Sequence, residues 1–151
     1  MEIRPAREEE IEALTALFIR ARNEMEYVPE VPDAHAGAIA DRMREHEEIW
    51  VAEESGRLLG FLGIEHSTNL GAPVLEKLYV EPEEQNRGIG SALLDKAKQL
   101  CPDGLYLWVF QKNTGARRLY ERHGFEVVKL TDGAENMEHE PDALYCWNGK
   151  M

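Results

Sequence analysis

Seven consecutive residues, Gln85-Asn86-Arg87-Gly88-Ile89-Gly90-Ser91, place two glycines and an arginine at the predicted start of a helix. The first backbone N–H groups of a helix have no acceptor within it, and the helix dipole adds partial positive charge there. Gly88 and Gly90 lack a Cβ, so the backbone can turn sharply and approach an anion closely. Arg87 supplies a nearby positive charge. The segment therefore predicts a site for a phosphate or diphosphate group.

The spacing of these glycines does not fit the two commonest nucleotide-binding loops. A P-loop requires Lys followed by Ser or Thr after its last glycine, and here Gly90 is followed by Ser91-Ala92. A dinucleotide-binding loop requires a third glycine at the position that Leu93 occupies. Taken alone, the remaining G-x-G would also suit an ordinary strand-to-helix turn, so the rest of the chain has to decide between the two interpretations.

Length and composition indicate a globular chain with one domain, residues 1–151, of which 43% are hydrophobic and 30% charged. The net charge of −12 argues against a basic surface for nucleic acid. The acidity would attract a cationic substrate or simply favour solubility. No apolar run approaches the roughly 20 residues that cross a bilayer. Cys101 and Cys146 lie far apart, which indicates free thiols in a reducing, cytoplasmic compartment.

Hydrophobic periodicity predicts an alternation of strands and helices. Helical spacing appears at 8–25, at 33–46 with Asp33 as the cap, from the glycine loop to about Leu100, and at 113–124 with Asn113 as the cap. Strand patterns appear at 2–4, 48–54, 57–66, 74–80, 105–110, 125–130 and 143–147. The segment 74–80 is nearly continuous in apolar character and is expected in the middle of a sheet. The order predicts an α/β or α+β fold, with helices on both faces of one mixed sheet.

Two motifs in this order resemble the GNAT acetyltransferases. Gln-x-x-Gly-x-Gly after a strand ending in Leu78-Tyr79-Val80 is similar to their coenzyme A diphosphate loop. About 20 residues later, after one helix and one strand, Asn113-x-x-Ala116-x-x-x-Tyr120-x-x-x-Gly124-Phe125 matches a second signature. The resemblance covers roughly residues 48–130, and the acidic stretch 131–142 looks like that of a bacterial subgroup. It implies a GNAT-like, mostly antiparallel sheet of about six or seven strands.

The resemblance implies acetyl transfer from acetyl-coenzyme A to a primary amine by direct attack in a ternary complex. Backbone N–H groups would hold the diphosphate along the loop, that is at Gln85, Asn86, Arg87, Gly88, Ile89, Gly90 and Ser91. The strand with Leu78, Tyr79 and Val80 would diverge from strand 105–110. A free N–H of Leu78 or Val80 would then polarise the acetyl carbonyl, unless it makes an ordinary ladder bond. Asn113 and Ala116 would contact the cofactor, although Asn113 would also serve as a helix cap alone.

Tyr120 and Glu76 are the candidate proton-transfer residues for this chemistry. A thiol titrates near 8.5 and a phenol near 10, so Tyr120 suits the protonation of the departing thiolate. Its alternative is a core tyrosine. Glu76 is one of few charges in an apolar strand and is the candidate base for the amine, or else a strand-end carboxylate that meets solvent. Glu65 and His66 are weaker candidates for the base. His123 is expected to be a solvated residue at a helix end.

The expected acceptor is a small amine, such as a polyamine, an amino sugar or an amino-acid derivative. A peptide N-terminus or a lysine side chain is the alternative within enzymes, and a catalytically silent acyl-coenzyme A-binding module is the alternative outside them. Segment 25–35, the hairpin near Glu65 and segment 131–142 are expected to shape the acceptor pocket. The five histidines show no paired ligand spacing, so no metal is expected. Neither nucleic acid nor a membrane is an expected partner, and a homodimer through the final strand or an exposed helix is possible.

Overall fold

One sheet of seven strands organises the chain in the computed structural model, which describes residues 1–149. The last two residues of the predicted domain lie outside the described residues. The strands are β1 Glu2–Pro5, β2 Glu48–Glu54, β3 Arg57–Glu65, β4 Val74–Val80, β5 Leu105–Phe110, β6 Glu126–Leu130 and β7 Asp142–Trp147. Their order is β1-β2-β3-β4-β5-β7-β6. Within this sheet β4 and β5 are parallel and all other neighbours are antiparallel, so the predicted mixed, mostly antiparallel sheet is confirmed.

Helices cover both faces of the sheet, as predicted. They are α1 Ile11–Asn23, α2 Ala36–His46, α3 Ile89–Leu100 and α4 Thr114–Arg122. On one face, α1 and α2 pack on β2 and β3 through a cluster that includes Leu14, Met43, Val51 and Phe61. On the other face, α3 and α4 contribute to a larger cluster that includes Leu93, Leu94, Leu107, Tyr120 and Tyr145. Burial of these apolar side chains is the main term that holds the helices on the sheet.

The helix starts differ in how they are capped. The Asn113 side chain accepts a hydrogen bond from the Ala116 N–H at 3.3 Å, so the predicted cap of α4 is confirmed. The predicted cap of α2 is wrong, because Asp33 opens a short 3-10 turn and α2 begins at Ala36 without a side-chain cap. Pro32 fixes the extended backbone just before this turn, which leaves the aspartate one turn too early to reach the N–H groups of α2.

Two irregularities of β4 shape the centre of the sheet. Gly63 on β3 pairs with Lys77, whereas the next residue, Ile64, pairs with Leu75, so Glu76 is the extra residue of a β-bulge. On its other side, β4 pairs with β5 at only two positions, Val74 with Tyr106 and Leu75 with Leu107. From the bulge onward the two parallel strands are therefore unpaired with each other, and a gap opens in the middle of the sheet.

The final strand has no free edge along which a second copy of the chain could pair. β7 pairs with β5 along its whole length and with β6 on its other side. The strand at this edge of the sheet is β6, because the chain turns back after β6 and inserts its last strand between β5 and β6.

Gly60→Ala tests how closely β3 and β4 approach at the end of their ladder. A Cβ at Gly60 would lie 2.6 Å from the Tyr79 carbonyl oxygen and 3.1 Å from the Val80 Cα. Relief of this contact should cost about 1–3 kcal/mol of the free energy of unfolding, measured by urea denaturation. Gly37→Ala in α2 is the matched control, since a Cβ there meets nothing within 4 Å. It should stabilise the protein by about 0.5–1 kcal/mol; an equal effect of both substitutions would contradict the packing described here.

Candidate active site

A cleft of about 1010 Å³ opens where β4 and β5 diverge. It brings together six residues that the sequence predicted for the site: Glu76, Leu78, Tyr79, Asn113, Ala116 and Tyr120. It also contains residues that the sequence did not predict, among them Arg22, Trp108 and Phe110, and residues of the predicted segment 131–142, such as Glu135 and Glu138. Val80 and the glycine loop do not line the cleft; they continue β4 toward the start of α3.

The start of α3 has the geometry of an anion site. Gly88 is its N-terminal flanking residue with φ +80°, and Asn86 also has a positive φ of 68°. Glycine adopts this backbone conformation at no steric cost, and Asn tolerates it better than most residues. No side chain caps the helix, and the Ala92 N–H makes the bond back to the Gly88 carbonyl oxygen at 3.0 Å. The N–H groups of residues 89–91 therefore have no acceptor within the helix.

The positive charge that the sequence predicts at Arg87 is present beside the loop, but it is paired with two carboxylates. Its guanidinium contacts Glu84 and lies 2.9 Å from Glu54. Glu84 is itself almost buried and is also held by Arg57 at 2.5 Å. The Arg87 side chain, which hydrogen-bonds this carboxylate, holds the pKa of Glu84 below its usual range. Because these ion pairs neutralise Arg87, attraction for an anion would come from the backbone N–H groups and the helix dipole.

Tyr120 lies between the core and the cleft. Its ring packs near Phe125 and Tyr145, with centroid separations of 6.0 and 6.3 Å, and the residue is only 8% exposed. Within residues 1–149 its hydroxyl makes no hydrogen bond to another side chain or to the backbone. Burial raises the pKa of Tyr120 well above its ordinary value, and the nearby Tyr79 phenol adds to this shift. The hydroxyl therefore remains protonated at neutral pH and is available as a donor.

Glu76 reaches the cleft because it is the bulged residue of β4. Partial desolvation of its carboxyl, followed by repulsion from Glu65, raises the pKa of Glu76, and the adjacent Lys77 opposes the shift. In the part of the chain that the structure describes, no lysine or arginine forms an ion pair with it. The two weaker candidates are occupied elsewhere: Glu65 binds Arg42 at 3.2 Å and His66 binds Glu48 at 2.7 Å. Neither of them lines the cleft.

Arg22 is the most constrained cation in the cleft, and it was missed in the sequence. The residue lies on α1 with its guanidinium 5.3 Å from the Phe110 ring centroid and 2.9 Å from Glu138. Its side chain is 14% exposed. Burial raises the pKa of Tyr79 to about 12, and Arg22 opposes that shift. The helical spacing could have predicted its burial, because Arg22 lies four residues after Phe18 and three before Met25, on the apolar face of the predicted helix.

The acidic segment between β6 and β7 forms the outer wall of the cleft. Asn136 organises it, because its amide donates to the Glu140 carbonyl at 2.7 Å and its Oδ1 accepts from the Glu140 N–H at 3.2 Å. Gly133 has φ +83° and lies against the Glu140 backbone. Of the segments expected to shape the acceptor pocket, 131–142 and Met25 line the cleft, whereas Glu65 does not.

His123 is not the solvated residue that was expected. Its side chain is 17% exposed and joins the end of α4 to the first turns of α3, with Nε2 3.1 Å from Ser91 Oγ and Nδ1 3.3 Å from Asp95. The reason is that α4 ends against α3, so the residue before Gly124 faces the neighbouring helix.

Among residues 1–149 there is no group of His, Cys, Asp and Glu side chains that could hold a metal ion. None of the helices in that range is long and apolar enough to cross a membrane.

Comparison with known proteins identifies the family of the chain. The model of the acetyltransferase (GNAT) family matches residues 11–125. The chain belongs to the GNAT family. Among its relatives is the peptidyl-lysine N-acetyltransferase YiaC of Escherichia coli, 36% identical over 111 residues, which are 74% of this chain and 66% of YiaC. The uncharacterized N-acetyltransferase YafP of Escherichia coli is 32% identical over 136 residues, 85% of this chain and 83% of YafP.

Solved GNAT structures share the fold over nearly the whole chain. The structure of yncA from Salmonella typhimurium, determined with its cofactor acetyl-CoA, superposes with a TM-score of 0.76 at 20% identity. The match covers all of this chain and 95% of the yncA chain. This superposition confirms the predicted GNAT fold, and the family match together with the curated relatives confirms the classification as a GNAT-type acyltransferase.

Gly88→Asp tests the anion site at the start of α3. A carboxylate next to the free N–H groups would repel a diphosphate by about 1–4 kcal/mol, so the Kd for coenzyme A, measured by titration calorimetry, should rise at least about tenfold. The strain of a positive φ and the gain from a better helix cap are both about 1 kcal/mol, so stability should change little. Gly88→Asn has the same shape without the charge and should lose less affinity. Wild-type affinity in the Asp variant would exclude this loop as the diphosphate site.

Proposed function

We propose that this protein transfers the acetyl group of acetyl-coenzyme A to a primary amine of a small molecule, by direct attack in a ternary complex. The observation that carries the proposal is the position of the gap between β4 and β5. The cleft at the gap is lined by Leu78, Tyr120 and Glu76, and beyond Leu78 the same strand runs on toward the uncapped start of α3. A pantetheine arm needs unpaired strand backbone and a diphosphate needs free N–H groups, and the gap offers both.

In the proposed complex, the loop before α3 and the backbone along the gap bind different parts of the cofactor. The backbone of Gln85, Asn86, Arg87, Gly88, Ile89, Gly90 and Ser91 would hold the diphosphate, and Leu78, Tyr79, Val80, Asn113 and Ala116 would line the path of the pantetheine arm. Bound acetyl-coenzyme A supplies an activated thioester. An N–H of Leu78 or Val80 that faces the gap would donate to the acetyl oxygen, and loss of one such donor typically costs about 3 kcal/mol in the barrier.

Three proton transfers complete the reaction. The Glu76 carboxylate takes a proton from the ammonium group, and the neutral amine attacks the acetyl carbon. The C–S bond then breaks as the Tyr120 hydroxyl protonates the departing thiolate, and the amide nitrogen loses its extra proton to the tyrosinate or to water. Because the pKa of Glu76 is raised, its carboxylate forms only as pH increases, so activity should increase with pH through that raised pKa. An acetyl-cysteine intermediate is disfavoured, since neither cysteine lines the cleft and burial raises the pKa of Cys101 to about 11.

A small acceptor is favoured by the wall on the acceptor side. The ion pair between Arg22 and Glu138 joins α1 to the segment between β6 and β7, and both residues line the cleft, so the pair would limit the room for a peptide. A second candidate function is acetylation of peptide lysines, which is supported by the similarity to YiaC. The proposal further takes residues 1–151 as one acetyltransferase domain that acts in the cytoplasm, with an amine and acetyl-coenzyme A as its partners and without metal, nucleic acid or membrane.

An acceptor panel tests the proposed substrate class. Thiol release from acetyl-coenzyme A would be followed with polyamines, amino sugars and amino acids on one side and lysine-containing and N-terminal peptides on the other. We expect kcat/KM for the best small amine to exceed that for every peptide by at least about tenfold, or 1.4 kcal/mol. The reverse order would establish the second candidate. Binding of coenzyme A without turnover on any amine would indicate a catalytically silent module.

Tyr120→Phe tests the acid. Removal of the hydroxyl should lower kcat by about 10²-fold or more, because the thiolate would leave without a proton donor. The Kd for coenzyme A should remain within about twofold of wild type, since the ring and its packing are retained. Tyr106→Phe on β5 is the control, because Tyr106 does not line the cleft, and its kcat should be unchanged. Equal rates for the two variants would rule out Tyr120 as the acid.

A further inference from the structure

A buried ion pair beside the bulge has no part in the reaction described so far. We propose that Glu47 and Lys77 form a positioning pair that holds the β4 bulge in place and keeps the Glu76 carboxylate in the cleft. The inference rests on the proposed function in one respect, the role of Glu76 as the base. Its geometric part, that the pair fixes the conformation at Glu76, is independent of that role.

The pair is enclosed almost completely. Lys77 Nζ lies 2.7 Å from Glu47 Oε2, and the two side chains are 9% and 1% exposed. The ammonium also lies 5.2 Å from the centroid of the Phe18 ring. Buried ion pairs add little stability over apolar residues of similar size, because desolvation offsets the attraction between the charges. The stability of the fold therefore does not by itself explain why two charges are buried at this point.

The location of the pair connects it to the bulge. Lys77 is the first regularly paired residue of β4 after the bulge, opposite Gly63, and Glu76 precedes it without a partner. The Lys77 side chain points to the α2 face of the sheet, where Glu47 receives it, and Glu76 lines the cleft. Glu47 is fixed in turn, since its N–H closes the end of α2 on the Met43 carbonyl at 3.2 Å. The ion pair thus ties the bulge to the end of a helix.

Gly63 provides the space for the Glu47 carboxylate. A Cβ at Gly63 would lie 2.3 Å from Glu47 Oε1 and 3.6 Å from the Lys77 Cβ. The same Oε1 is buried and has no hydrogen-bond partner among the described residues. A buried oxygen without a partner is unfavourable, so the position of this carboxylate is set by its contact with Lys77.

Loss of the pair would also change the charges around Glu76. The groups that face its carboxyl are Glu65 on β3, Lys77 on β4 and Glu47 at the end of α2. Arg42 on α2 binds Glu65 at 3.2 Å. If Lys77 were displaced, the only charged groups near the Glu76 carboxyl would be the carboxylates of Glu65 and Glu47. The pKa of Glu76 would then rise further.

The central experiment replaces both charges by unbranched apolar side chains in Glu47→Met/Lys77→Met. This variant should fold, because it leaves neither charge without a partner. We expect kcat to fall at least about tenfold while the Kd for coenzyme A stays within about twofold, since the diphosphate site is distant from the bulge. Gly63→Ala displaces the Glu47 carboxylate without removing a charge and should lower kcat in the same way. Lys77→Arg keeps the ion pair and should retain most of the activity.

A readout that does not depend on turnover separates positioning from a general loss of activity. The ¹³C shift of the Glu76 carboxyl, followed by NMR against pH, should show a higher midpoint in Glu47→Met/Lys77→Met and in Gly63→Ala, with faster amide exchange at residues 75–77. Glu8→Gln/Arg44→Gln removes an exposed ion pair on the same α1–α2 side and should change neither measurement. An unchanged Glu76 midpoint and unchanged exchange in the double Met variant would overturn the proposal.

The failure of the proposed function would have a different signature. If Glu76→Gln retained the wild-type kcat and pH profile, Glu76 would not be the base. The carboxyl titration and amide exchange would still report whether Glu47 and Lys77 fix the bulge. A shifted midpoint with intact Glu76→Gln activity would therefore support the positioning pair and refute the assigned base.

Discussion

The interrupted ladder between β4 and β5 is the constraint on which the rest of the structure depends. Two parallel strands in the middle of a sheet would normally pair along their length, because buried backbone N–H and C=O groups are costly when they lack partners. Here the pairing stops after two positions, just where the bulge begins. The backbone that faces the gap must find its partners in water or in a ligand, and the proposed function assigns that place to acetyl-coenzyme A.

The bulge and the gap have a common consequence for the chemistry. A regular β4 would give Glu76 a partner on β3 and would close the ladder toward β5. The extra residue lets Lys77 turn into the core and leaves Glu76 in the cleft that Tyr79 and Tyr120 also line. Partial desolvation then raises the pKa of the carboxyl and of both phenols. The proposed base, Glu76, is thus ionised less readily than a free glutamate, and the proposed acid, Tyr120, keeps its proton at neutral pH.

The sequence was informative wherever local pattern and local structure coincide. The strands and helices follow from hydrophobic periodicity, and the cap by Asn113 follows from residue type and spacing. The central position of β4 follows from its continuous apolar character. Gly88 at a positive φ was predictable because few other residues accept that conformation.

Features set by long-range contacts could not be predicted in this way. Arg87 resembles a ligand for an anion until Glu54, which lies more than thirty residues earlier, is seen to neutralise it. The burial of Lys77 depends on Glu47 at the end of α2, and that of His123 depends on the packing of α4 against α3. The insertion of β7 between β5 and β6 has no local signal at all, because the hydrophobic alternation of a strand does not determine which strands it pairs with.

The most direct test of the account is the amide NMR spectrum of β4 with and without the acyl donor. The backbone N–H signals of Leu78 and Val80 would be compared in the free protein, with coenzyme A and with acetyl-coenzyme A. The account predicts that at least one of them shifts downfield and becomes protected from exchange with acetyl-coenzyme A, and less so with coenzyme A, because only the thioester presents a carbonyl acceptor. Identical signals in all three states would contradict the claim that the gap beside β4 binds the thioester.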